Sequence, residues 1–160
     1  MSTIIDGSAG ITFPNSTVQA SGGKVIQVVN ATYSTTITTT SGTMADTGLT
    51  ASITPLFSNS KILVLISQNG AGNNGTASIG INLQLNRGST TLALLSSIGV
   101  FSSVAQYGQC YSSAYLDSPA TTSSTSYKTQ WSKYNTGTAG SVYLQAGNEV
   151  STITLMEISA

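Results

Sequence analysis

The run Lys61-Ile62-Leu63-Val64-Leu65-Ile66-Ser67-Gln68 restricts the fold more than any other stretch of the chain. In an extended strand Ile62, Val64 and Ile66 point one way and Leu63 and Leu65 the other, so both faces are apolar and both need cover. The run is too short to cross a bilayer as a helix, which takes about 20 apolar residues. It reads as a central strand in a sandwich core. A sharper reading adds a neighbouring copy against one face, and the residues alone leave that open.

The length, 160 residues, suits one domain that removes about two-thirds of its unfolded surface from water. Five basic and five acidic residues make 6% of the chain charged, against a usual share of about 25%, and the net charge is zero. No electrostatic footprint for nucleic acid or an anionic membrane is present, so neither is expected as a partner. Such a surface does little to keep free copies apart, which suits a chain that works inside an assembly. The single cysteine, Cys110, excludes an intramolecular disulfide framework and reads as a small buried hydrophobe. Met1–Asp6 has neither a basic start nor an apolar block of signal-peptide length. The glycosylation-like triplets at Asn15, Asn30 and Asn74 are put down to coincidence in a chain rich in Asn, Ser and Thr.

Residues 1–22 read as an extended N-terminal arm and residues 23–160 as one β-sandwich domain, divided near Ser21-Gly22-Gly23. The arm carries Ile4, Ile5, Ile11 and Phe13, too few apolar residues for a core of its own. From Lys24 onward, strands alternate with turn chemistry. Ser78–Asn86 alternates cleanly, with Ile79, Ile81, Leu83 and Leu85 on one face, and Asn86-Arg87-Gly88-Ser89 reads as a hairpin turn into Thr90–Leu95. Further strands are expected over Lys24–Tyr33, Leu49–Thr54, Gly99–Tyr107, Gln109–Leu116, Ser126–Tyr134, Ser141–Ala146 and Val150–Ser159. Asn69–Gly75 is expected to be a loop, because Gly and Asn tolerate positive φ. Eight to ten strands and no amphipathic helix predict an all-β fold, an antiparallel two-sheet β-sandwich or jelly roll.

The chain has no histidine, which removes the usual general base and the commonest metal ligand. Asp6, Asp46, Asp117, Glu149 and Glu157 are scattered, so a catalytic carboxylate pair would have to be assembled by folding alone. Asp46 and Asp117 read as turn residues and Glu157 as a rim partner for a lysine. No phosphate-cradling motif occurs. No enzymatic activity, cofactor or metal is expected. The one concentration of binding chemistry is aromatic: Tyr111, Tyr115, Tyr127, Trp131 and Tyr134 fall close together. Flat rings beside Asn, Gln and Ser serve a core layer, a subunit contact or a glycan platform.

Several segments carry a resemblance. Gly10-Ile11-Thr12-Phe13-Pro14-Asn15-Ser16-Thr17-Val18-Gln19 is similar to a segment common in virion-surface proteins of tailed phages, with Asn15-Ser16 where Asp-Gly is usual. Lys24–Val29, Asp46–Pro55 and Ser60–Val64 resemble the opening of a compact phage β-sandwich module, and Ser151–Ile158 resembles its closing strand. The resemblance implies a homotrimeric, tumour necrosis factor-like jelly roll whose last strand lies near the threefold axis. Thr152, Thr154, Met156 and Ile158 would then face neighbours while Ile153 and Leu155 fill the core. Such modules occur at the tips of fibres and tailspikes, where they can contact host glycans, and as trimers that cement capsids.

A fibre protein would need a shaft or a tail-anchoring domain, and none is evident in the sequence. The expectation is therefore a structural virion protein: a homotrimeric capsid cement or decoration protein on the outer capsid surface. Its arm would bind the major capsid protein, and its body would contact host surface glycans as a further role. The alternative is the receptor-binding domain at a tail-fibre or tailspike tip. A secreted glycan-binding lectin is a third reading, disfavoured by the missing signal peptide.

Overall fold

The computed structural model describes residues 4–6, 10–12, 18–19, 24–74, 79–102, 106–137 and 139–159. Three short strands come first: β1 (Ile4–Asp6), β2 (Gly10–Thr12) and β3 (Val18–Gln19). They pair antiparallel in that order, with Ile5 opposite Ile11. The extended pieces expected of the arm are thus paired with one another. Phe13 lies outside the described residues.

The body follows as β4 (Val25–Tyr33), β5 (Ile37–Thr39), β6 (Ala45–Ile53), β7 (Lys61–Asn73), β8 (Ile79–Arg87), β9 (Thr90–Ser102), β10 (Gln106–Asp117), β11 (Thr125–Tyr134), β12 (Val142–Leu144) and β13 (Ser151–Ile158). Four long strands form one sheet in the order β4-β13-β7-β10, and the other four form the second in the order β6-β11-β8-β9. The short β5 and β12 extend the first sheet along the far end of β7. The strand pairs are antiparallel, and successive long strands alternate between sheets through crossing connections except at the β8–β9 hairpin, which is jelly-roll order.

β7 lies inside the first sheet, between β13 and β10, with one apolar face of its run against the opposing sheet. Ile62, Val64 and Ile66 turn inward to meet Leu49, Ala51, Ile53, Leu85, Tyr127, Ile153 and Leu155 in one buried cluster. A second cluster, around Ile79, Ile81, Leu83, Trp131, Val142 and Leu144, fills the other end. Side chains of both sheets also meet in a buried polar belt. Thr129 donates to the Gln68 carbonyl at 3.0 Å, so the hydroxyl of Thr47, 2.5 Å away, must be the donor to Thr129. Gln68 and Gln145 each donate from Nε2 to Ser151 Oγ, at 3.0 and 2.9 Å.

Two strand expectations need correcting. Asn69–Asn73 is not a loop but the continuation of β7, and it pairs with β10 and β12. Its Gly and Asn residues accommodate bulges and a close approach: Gly70 sits at φ +62°, and any Cβ there would collide with the backbone nitrogen of Ala146. Thr90–Leu95 and Gly99–Ser102 are parts of one strand, β9, whose register slips against β8 at several points.

Candidate interaction surfaces

Among the described residues, no group of three or more His, Cys, Asp or Glu side chains comes close enough to hold a metal ion. Three of the carboxylates, Asp46, Asp117 and Glu157, have structural partners instead. Asp46 is not a turn residue: it lies on β6 and accepts from Lys128 Nζ and Gln130 Nε2, at 2.8 and 2.7 Å. Those bonds, the one from Lys128 above all, hold its pKa below the ordinary value against a weaker opposing effect of burial. Asp117 ends β10 and receives both Arg87 Nη1, at 2.8 Å, and the Tyr127 hydroxyl, at 2.6 Å. Burial, with the Asp117 carboxylate as acceptor, pushes the Tyr127 phenol well above its ordinary value.

Glu157 is likewise no rim partner of a lysine. It is fully buried at the end of β13 and holds the β6–β7 connection. Oε1 accepts from the backbone N–H of Leu56 and Phe57, at 2.8 and 3.3 Å, and Oε2 accepts from Gln27 Nε2 at 2.6 Å. Burial alone would raise its pKa, but the bond from Gln27, with others including those backbone amides, holds the carboxyl below the ordinary range.

The aromatic set divides. Tyr127 and Trp131 are buried, one in each core cluster, so neither can stack on a sugar from solution. Their face of β11 points inward because every second residue of that strand meets the opposing sheet. Tyr111 and Tyr115 are half-buried on the inner face of β10, packed against the two clusters. Burial raises the Tyr111 phenol to about 12. Of the five rings only Tyr134 is exposed, at the end of β11. Cys110, expected to be buried, is exposed, because it faces outward on β10 beside Ser67 and Ser112.

The outward faces of the two sheets differ. On the second sheet Asp46, Thr50, Lys128, Gln130 and Gln84 make a hydrogen-bonded polar surface, with the exposed Ser52 on the same face. On the first, register places Val28, Met156, Leu63 and Leu116 side by side across all four long strands. Met156 and Leu63 are half-covered, while Val28 is 55% and Leu116 50% exposed. The next row is Asn30, Thr154, Leu65 and Ala114, and the one beyond is Thr32, Thr152, Ser67 and Ser112. Ile158 continues the apolar end beside Val25, which is also exposed. Thr152, Thr154, Met156 and Ile158 are thus together on this face, and Ile153 and Leu155 are in the core. The apolar row was legible as the second face of Lys61–Gln68; its neighbours on β4 and β10 became visible only with the register.

No protein-family model matches the chain, and no curated protein sequence matches it. Among solved structures it is similar to the VP2 subviral particle of infectious bursal disease virus, at 9% identity and TM-score 0.49, over 82% of this chain and 39% of that one. A mutant VP2 in T=1 particles of the same virus aligns at 11% identity and TM-score 0.49, over 96% of this chain and 44% of that one. The chain therefore spans less than half the length of these proteins. At such scores the likeness carries no argument about role, and the jelly roll stands on the strand pairing itself.

Proposed function

We propose that this protein is a structural component of a virion, a homotrimer that decorates and cements the outer capsid surface. The observation that carries the reading is the apolar row Val28-Met156-Leu63-Leu116 on a face where, among the described residues of the four long strands, Lys61 beside Ile158 is the one outward charge. An outer sheet face of this kind is stabilised by cover, and covering a half-exposed Val or Leu contributes about 1 kcal/mol. A second copy offers the same apolar row, and the phage-module resemblance of Asp46–Pro55 and Ser151–Ile158 favours three copies around β13. Location on the capsid rests on that resemblance, with Ile4, Ile5, Ile11 and Phe13 of the arm meeting the major capsid protein. Three arms on one body would make the second and third attachments effectively intramolecular.

A second reading, the receptor-binding tip of a tail fibre or tailspike, is favoured by the solvent-facing Tyr134. The two separate in one comparison. As a cement, purified protein binds expanded capsids, and particles lacking it lose integrity under heat or low salt while still adsorbing to cells. Sound capsids that fail to adsorb would overturn the cement reading and leave the adhesin.

A further inference from the structure

At the end of the sandwich where the β5–β6 and β11–β12 connections meet lies an open groove of ≈ 720 Å³, within the range of small-ligand sites. Gly42, Asn82, Lys133, Tyr134, Asn135 and Thr136 line it. Its walls are tied together. The backbone N–H of Lys133 donates to the Ser41 carbonyl at 2.7 Å, and Lys133 Nζ donates to the Gly140 carbonyl at 2.9 Å. A Cβ on Gly42 would come within 2.6 Å of Thr136 Cγ2, so the two connections touch where a larger side chain would part them. A groove held in this way needs little ordering when a ligand arrives.

The lining has a consistent chemistry. It contains no carboxylate, and its one charged side chain, Lys133, is 2% exposed with its ammonium on Gly140. What it presents to solvent is the Tyr134 ring, the Thr136 hydroxyl and the side chains of Asn82 and Asn135. The Asn82 Nδ2 donates to Ser132 Oγ at 3.3 Å, which fixes the amide and leaves its carbonyl oxygen to accept from a ligand. A nucleotide or other anion would want a presented cation, which this lining lacks. A pyranose wants what is there: a flat ring for its C–H face, and neutral donors and acceptors for its rim of hydroxyls.

We propose that this groove binds a neutral saccharide, with Tyr134 against the face of one sugar ring and Asn82 and Thr136 bonded to its hydroxyls. The inference deepens the proposed role at the virion surface by giving the host glycan a site and a class, and it rests on that reading for its biology. None of the lining residues belongs to the apolar row, so copies joined through that row leave the groove open.

The test uses the full chain on an array of neutral glycans, with sialylated glycans and ATP as anionic controls, and titrates the positives in solution by saturation-transfer NMR. Expected affinity for one sugar unit is about 1 mM. Tyr134→Ala should weaken binding about tenfold or more, whereas Tyr134→Phe, which keeps the ring, should stay within about threefold of the parent. Thr136→Ala gives an independent second loss, and since Tyr134 and Thr136 are both at the surface, an unchanged melting temperature and mass certify the variants. The proposal is overturned if no neutral glycan binds, if only the anionic controls bind, or if Tyr134→Ala binds as the parent does. Neutral-glycan binding by a monomer would keep the groove and remove the trimer; a trimer that binds none would do the reverse.

Discussion

At the scale of single residues, the polar side chains inside the sandwich do work that their sequence neighbours do not announce. Glu157 is separated by about a hundred positions from the loop it holds, and its run Met156-Glu157-Ile158 reads as an edge charge. Its hydrogen bonds keep the folded carboxyl ionised at pH values where the unfolded chain already takes up a proton. The stability it contributes is therefore complete above the unfolded value and is lost as pH falls through the depressed folded value. Glu157→Gln should cost about 1–3 kcal/mol at neutral pH and flatten the acid limb of the stability profile, as measured by urea unfolding from about pH 7 to pH 3. A parent protein whose stability is flat over that range would contradict this account of Glu157. Tyr127→Phe removes one of the donors to Asp117 and should lower unfolding stability by about 1–3 kcal/mol, with the sheet signature in circular dichroism intact.

At the scale of elements, alternation was the readable signal and interruption the unreadable one. Ile79, Ile81, Leu83 and Leu85 announced β8 because a one-sided strand repeats every two residues, and all four are fully buried. Asn69-Gly70-Ala71-Gly72-Asn73 carries turn chemistry, yet the central position of β7 draws it into pairing with strands on both sides. The aromatic cluster was readable as a cluster but not as inside or outside, since the inward phase of β11 depends on its register with β6 and β8. Gly70→Ala should cost at least about 1 kcal/mol, seen as a lowered melting temperature, because the position needs positive φ and admits no Cβ. Ile81→Ala should cost about 2–5 kcal/mol in the same assay, as a buried cavity in a core cluster.

At the scale of the whole molecule, two unlike surfaces back one sandwich: a neutral polar face on the β6-β11-β8-β9 sheet and an apolar row on the β4-β13-β7-β10 sheet. The first is solvated as it stands, and the proposed trimer covers the second with copies of the same chain. Leu116→Lys places a charge at the β10 end of that row without touching the core, so it should yield folded monomer at unchanged secondary structure. Sedimentation equilibrium of the unaltered chain at micromolar concentration tests the central claim most directly. A single species of three times the chain's 16.3 kDa is the predicted result. A stable monomer at 16.3 kDa, soluble with its apolar row bare, would contradict it.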